Sequence, residues 1–201
     1  MNEQLRIGCF ASGRGSNFEA ILQRIQSKEL KATISFLITN NSKAGAVEIA
    51  KSFQIPVHHI SAKTDPDPEA YLSRMVQLVK GERIDLIVLC GYMKPLPDAV
   101  IAASKLGAIN IHPSLLPKFG GASYYGERVH QAVLEAKEKE SGPTVHRVNS
   151  VYDSGEVLEQ RRVPVFPDDS VESLAARVLE QEHDLYWRVI QKFADGLIGP
   201  G

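Results

Sequence analysis

Apolar positions along this chain alternate between short β-like runs and stretches spaced for one face of a helix. Residues 7–10 form an apolar run that ends in a glycine-rich turn, and Phe18, Ile21, Leu22 and Ile25 then recur at helical spacing. Residues 33–39 (Thr-Ile-Ser-Phe-Leu-Ile-Thr) are β-branched and apolar, the make-up of a buried strand. The pattern continues with a helix over 46–53, a strand over 57–60 and a helix over 69–80. The clearest buried strand covers 85–90 and is stopped by Gly91; a brief helix over 98–104 and a strand over 108–111 follow.

After that the pattern changes. A helix over 126–137 places Val129, Ala132, Val133 and Ala136 on one face, and strands over 143–148 and 157–165 follow without a long helix between them. That spacing predicts antiparallel pairing. Asp169-Ser170 caps a last long helix with Leu174, Val178, Leu185, Val189 and Phe193 on its apolar face, and Gly196 ends it. The expected fold class is α/β: a doubly wound, mainly parallel sheet with antiparallel strands in the C-terminal part. No repeat, low-complexity segment or linker interrupts the chain, so residues 1–201 are expected to form a single domain. In such sheets ligands gather beyond the carboxyl ends of the strands. The loops after Phe10, Cys90 and Ile111 therefore carry the interest.

Composition narrows the partners. Hydrophobic residues make up 43% and charged residues 23% of the 201, with a formal net charge of −1. There is no basic block or arm, so no nucleic-acid partner is expected, whereas a small phosphorylated metabolite needs only one local site. Cys9 and Cys90 lie within apolar runs and are expected as buried, reduced thiols. No stretch has the length of a membrane helix, and residues 1–6 lack the basic region and apolar core of a signal peptide. A cytoplasmic protein without a membrane partner is expected.

Ser12-Gly13-Arg14-Gly15-Ser16-Asn17 sits between the first strand and the first helix. Glycines let backbone approach an anion, and a helix N-terminus offers free N–H groups. A dinucleotide fingerprint is opposed by Phe18 at the third glycine position and by Asn40-Asn41 where an acid would hold a ribose, so NAD is not expected. A Walker loop is excluded because no Gly-Lys-Ser/Thr follows. A single phosphate suits the loop better, the alternative being a plain tight turn with a Ser/Asn cap.

Asn110 and His112 bracket Ile111 at the end of a strand, so alternation points both side chains to one side while Ile111 faces the core. A carboxamide and an imidazole side by side suit acyl transfer: both can donate to an oxyanion, and the imidazole can move a proton. A histidine serving only the strand end is the other reading.

The full run Asn110-Ile111-His112-Pro113-Ser114-Leu115-Leu116-Pro117-Lys118 resembles the signature of the 10-formyltetrahydrofolate-dependent formyltransferases. The nearest branch formylates 5-phosphoribosylglycinamide in purine synthesis, and the likeness extends from Ser12-Gly13 to Phe193-Ala194-Asp195-Gly196. The resemblance implies the formyltransferase fold, with a phosphate-binding half over 1–105 and a catalytic and folate-site half over 106–201. It implies that Asn110, His112 and Asp153 are catalytic, the last in Tyr152-Asp153-Ser154-Gly155. A carboxylate beside His112 is expected to raise its pKa and hold an imidazolium. By the same resemblance Gly15, Ser16, Asn17 and Glu182 bind the acceptor, and His146 supports the site. Met93, Lys94, Pro95 and Leu96, together with Asn110, would bind 10-formyltetrahydrofolate as co-substrate. No metal is implied, and no His/Cys/Asp cluster has ligand spacing. The partners implied are small molecules, with the chain a monomer or homodimer.

The chain departs from the family in places. Lys94 stands where Arg is frequent, Pro95 where an apolar residue is usual, and Asp65-Pro66-Asp67-Pro68 where an Arg sometimes reaches the folate tail. Residues 119–126 differ from the commoner short form and read as a glycine-hinged flap or an ordinary surface loop. Two other functions stay open: hydrolysis of 10-formyltetrahydrofolate, and a non-catalytic metabolite-binding module on the same fold.

Overall fold

A computed structural model describes residues 4–201. Its centre is a seven-stranded sheet in the order β3-β2-β1-β4-β5-β7-β8. Strands β1 (Leu5–Phe10), β2 (Ala32–Thr39), β3 (Val57–His59), β4 (Leu86–Leu89) and β5 (Ala108–His112) are mutually parallel. β7 (Thr144–Arg147) and β8 (Val157–Gln160) join antiparallel beyond β5. The sheet thus has the mixed topology that the hydrophobic pattern predicts.

Alternation along the central strands fills both faces. Ile7, Cys9, Leu86, Val88, Ile109 and Ile111 pack on one side, against α1 (Ser16–Gln26), α2 (Gly45–Ser52) and α6 (Val171–Ala194). Phe10, Ile87 and Leu89 pack on the other, against α3 (Pro68–Gly81) and α4 (Asp98–Ile101). Strands covered on both faces cannot alternate with polar residues, which is why they read as continuous apolar runs. Cys9 and Cys90 are both free and buried in the first of these layers.

Local signals set the helix ends. Asp67 accepts from the Glu69 and Ala70 N–H groups, and Pro68 opens α3. Asp65 pairs with Arg74 at 2.9 Å, so the Asp-Pro-Asp-Pro segment is a helix start tied down at both acids. α6 begins with a reciprocal box between Ser170 and Ser173, while Asp169 pairs with Arg177.

Two elements differ from the pattern. α4 ends after Ile101, where the Ser104 hydroxyl lies within hydrogen-bond reach of both the Ile101 and the Gly107 carbonyls and its single proton competes with the helix ladder. Residues 157–165 are not one strand: after β8 the chain leaves the main sheet, and β9 (Val163–Pro164) pairs with β6 (Glu140–Ser141) in a separate ribbon. Arg161 and Arg162 break the run by turning to Asp184 and Glu140. The ribbon also crosses tightly at Gly142, where a Cβ would lie 1.9 Å from the Arg161 carbonyl oxygen. α5 (Glu127–Glu135) packs against α6, its Val133 clustering with Val163, Leu174 and Val178.

Candidate active site

β5 delivers Asn110 and His112 to the carboxyl edge of the sheet, and β7 sets His146 opposite Asn110. The loop after β7 then returns Asp153 to the same place. Asp153 adopts φ 54°, a left-handed conformation in a tight turn. At Gly155 a Cβ would lie 1.9 Å from the Arg147 carbonyl oxygen, so only glycine lets the turn close this near to β7.

These four side chains form one chain of contacts. The Asp153 carboxylate lies 3.4 Å from His112 Nδ1 through Oδ2 and 3.5 Å from His146 Nε2 through Oδ1. Asn110 Nδ2 lies 3.2 Å from His146 Nε2. His146 Nδ1 is 2.8 Å from the Arg147 carbonyl, which can only accept, so Nδ1 carries a proton. Nε2 faces both the Asn110 amide and the Asp153 carboxylate. The contact with Asn110 fixes which way the carboxamide faces and leaves its second N–H for a ligand.

His112 is held in a similar way. Nε2 donates to the Phe119 carbonyl at 2.7 Å, leaving Nδ1 toward Asp153. Burial lowers the pKa of His112, and the raising effect of Asp153 does not overcome it. This corrects the expectation of a raised pKa: burial leaves little water to solvate the ring's charge and outweighs the carboxylate beside it. For Asp153, burial pushes the carboxyl up, but His146, His112 and the Gly121 N–H (2.9 Å from Oδ2) together hold it below the usual range. Asp153 thus faces His112 at Nδ1, the ring nitrogen that the Phe119 contact leaves free.

The rest of the His-Pro-Ser-Leu-Leu-Pro run is scaffold. Ser114 is fully buried and donates to the Lys118 carbonyl at 2.7 Å. Thr144 donates to the Ser114 carbonyl at 2.6 Å and accepts from the Leu116 N–H at 3.1 Å and from Gln160 at 2.8 Å. These bonds fasten the loop that carries the Phe119 carbonyl to β7, the neighbour of the strand that carries His112.

Two clefts meet at this cluster. The smaller is walled by Leu89, Tyr92, Leu96 and Val148, with Lys94 and Pro95 at its edge and Asn149–Asp153 closing it. The larger is bounded by Met93, His112, Tyr124, Tyr125 and Gly126. Tyr92, Asn110, Tyr152 and Asp153 line both. Residues 119–126 thus form a wall of the larger cleft, with Tyr124 edge-on to Phe119 at 6.0 Å and Arg128 over the Tyr125 ring at 4.8 Å.

A second polar group lies at the start of α1. Gly15 has φ 85°, and a Cβ there would fall 2.7 Å from Ala46 Cβ, so the loop closes only with glycine. Asn17 Nδ2 donates to Glu182 Oε2 at 2.6 Å, while Asn17 Oδ1 is buried without a partner. Glu182 is 8% exposed, and burial pushes its carboxyl up to about 7 against the opposing effect of Asn17. No hydrogen bond among the described residues joins this pair directly to the Asn110–His112 group.

Some residues at the site carried no signal in the sequence. His130, buried on α5, is pushed down to about 4 by burial and by His112. Tyr124, Tyr125 and Tyr152 line the larger cleft but sit in loops without periodicity. The contact between Ser12 and Asn40 joins loops 28 residues apart, a distance no local pattern spans.

Among the described residues no group of three or more His, Cys, Asp or Glu side chains is placed to hold a metal ion, and no helix is long and apolar enough to cross a membrane. The formyl transferase family profile matches residues 5–190. The chain is 39% identical over 190 residues to the chloroplastic phosphoribosylglycinamide formyltransferase of Vigna unguiculata, covering 94% of this chain but 61% of that protein. It is 36% identical over 192 residues to the phosphoribosylglycinamide formyltransferase of Escherichia coli K12, covering 96% and 88%. The crystal structure of glycinamide ribonucleotide transformylase 1 from Symbiobacterium toebii superposes with a TM-score of 0.89 at 32% identity, over 98% and 90% of the two chains. The pattern, the sheet and these likenesses agree: the chain belongs to the formyl transferase family.

Proposed function

We propose that the protein transfers the formyl group of 10-formyltetrahydrofolate to the amine of 5-phosphoribosylglycinamide, giving the N-formyl product and tetrahydrofolate. The observation that carries this reading is that Asn110 and Asp153 line both clefts. A donor in the smaller, partly apolar cleft and an acceptor in the larger one would meet at those two side chains. Flat, polar-edged rings fit walls such as Leu89, Tyr92 and Leu96 with a few convergent polar groups.

The chemistry follows from the contacts among Asn110, His112, His146 and Asp153. The acceptor's amine nitrogen attacks the formyl carbon, and the carbonyl π pair moves to oxygen. The free N–H of Asn110 donates to that oxyanion, its direction set by His146. The attacking nitrogen must lose a proton. His112 Nδ1 and the Asp153 carboxylate, 3.4 Å apart, are two acceptors for it. A proton taken up there turns His112 into an imidazolium and adds a cation beside the oxyanion. When the tetrahedral intermediate collapses, the C–N10 bond breaks and the proton passes to N10. Gly15, Ser16 and Asn17 would hold the phosphate and ribose with Glu182, and Met93–Leu96 the folate.

The same reading takes small molecules as the partners, without nucleic acid or membrane, and sets a monomer or homodimer in the cytoplasm. It uses neither metal nor NAD. The test is to follow folate absorbance with 10-formyltetrahydrofolate, with and without 5-phosphoribosylglycinamide. Turnover should require the amine. Equal turnover without it would replace transfer by hydrolysis, and none under either condition would leave a binding module.

A further inference from the structure

The loop offered to the phosphate and the segment offered to the folate are joined by one hydroxyl. Ser12, 9% exposed, precedes Gly13–Asn17 directly, and its Oγ–H donates to Asn40 Oδ1. The same oxygen accepts from the Met93 N–H at 2.8 Å. Ser12 also donates its backbone N–H to the Gly91 carbonyl at 3.2 Å and accepts from Asn41 Nδ2 at 3.3 Å. The Asn40-Asn41 pair, which stands where a dinucleotide fold would place an acid, is therefore occupied in clamping Ser12. On the far side the Gly13 carbonyl accepts from the Ala46 N–H at 3.2 Å, fastening the loop to the start of α2.

A hydroxyl has one proton, and here it is spent on Asn40. Its lone pair is what fixes the Met93 amide, and Met93 leads into Lys94, Pro95 and Leu96 at the smaller cleft. An anion drawn to residues 13–17 would pull on Ser12, and the Ser12 hydroxyl would carry that strain to the backbone that a folate ring would meet. We propose that Ser12 is a positioning residue that couples the two reactant sites, so that the phosphorylated amine tightens folate binding and the folate tightens amine binding. This rests on the formyl-transfer reading for which ligand goes where.

Titration calorimetry of the full chain with tetrahydrofolate, alone and with saturating 5-phosphoribosylglycinamide, tests it, since these two ligands cannot react together. The wild type should bind tetrahydrofolate roughly five- to tenfold more tightly with the amine present, a typical coupling strength. Ser12→Ala should bring that ratio to about one, and Ser12→Thr, which keeps the hydroxyl, should restore it. A serine that merely stabilised the loop would lower both affinities and leave their ratio alone. A wild-type ratio near one, or an undiminished ratio in Ser12→Ala, overturns the coupling while leaving formyl transfer intact. If Ser12→Ala does not fold, Asn40→Ala releases the hydroxyl without removing it, and an undiminished ratio there is equally fatal. Failure of the wild type to bind tetrahydrofolate at all would overturn the functional reading and the coupling together.

Discussion

Asp153 and Glu182 are both carboxylates drawn out of water, and the protein treats them in opposite ways. Asp153 has His112, His146 and the Gly121 N–H around it, and these outweigh burial and hold it ionised. Glu182 has one hydrogen bond, from Asn17, and burial pushes it up to about 7. Glu182 is the more deeply buried of the two, and it also has the fewer partners. Charge in a protein interior is kept by the groups that meet it, and a carboxylate given one partner is left poised between its two forms. The first arrangement suits a permanent anion beside a proton-accepting imidazole. The second suits a group that waits for ligand hydroxyls to complete its surroundings.

The harshest way to break this contrast is to remove the charge of Asp153 while keeping its shape. Asp153→Asn takes away one of the two acceptors and the anion that balances a protonated His112. It should lower kcat about 10³-fold, the scale of a lost acid–base partner, with both KM values within a few-fold. Steady-state kinetics with each reactant varied in turn is the check. A loss under tenfold would remove Asp153 from the chemistry.

How far these two regions could be read beforehand follows from how each is made. Asn110 and His112 lie two residues apart on a strand, so alternation alone puts them on one side, and β5 does so. The parallel sheet was legible because its strands are buried on both faces and so stay apolar throughout. The direction of the His112 shift was not legible. A nearby acid argues for a raised pKa, and only the extent of burial reverses the sign. Glu182 could pass for a solvated helix charge, since its burial depends on packing against α1, 165 residues away from Asn17. The break at Arg161-Arg162 was hidden similarly, because the partners Asp184 and Glu140 come from distant elements.

The contrast sharpens when Glu182 is neutralised. Its pKa is higher in the folded protein than the 4.5 of a free glutamate, so the folded state holds the proton more tightly. The stability it contributes is present in full below pH 4.5 and is lost as pH rises to about 7. Glu182→Gln removes that loss and still accepts from Asn17. By pH 8 the variant should be more stable than wild type by about 3 kcal/mol relative to their difference at pH 4.5, the worth of a shift of this size. Denaturant unfolding at the two pH values measures it. The same variant should bind 5-phosphoribosylglycinamide more weakly, and a stability difference that does not change with pH would refute the poised carboxylate.

The smallest effect separates the two regions within one titration. Because the His112 pKa is lowered by burial, its neutral form is present at neutral pH, and protonation begins below the ordinary histidine value of about 6.5. If the neutral ring takes the amine's proton, kcat should fall about tenfold per pH unit on the acid side of that shifted pKa. Asp153 raises the His112 pKa, so in Asp153→Asn the acid limb should move to lower pH, on top of the lower rate. Glu182→Gln should leave the limb where it is, since Glu182 is not among the groups that shift His112. Profiles of kcat for the three proteins decide the matter. A limb that moves with Glu182 and not with Asp153 would transfer the titrating role from the Asn110–His112 cluster to the helix pair.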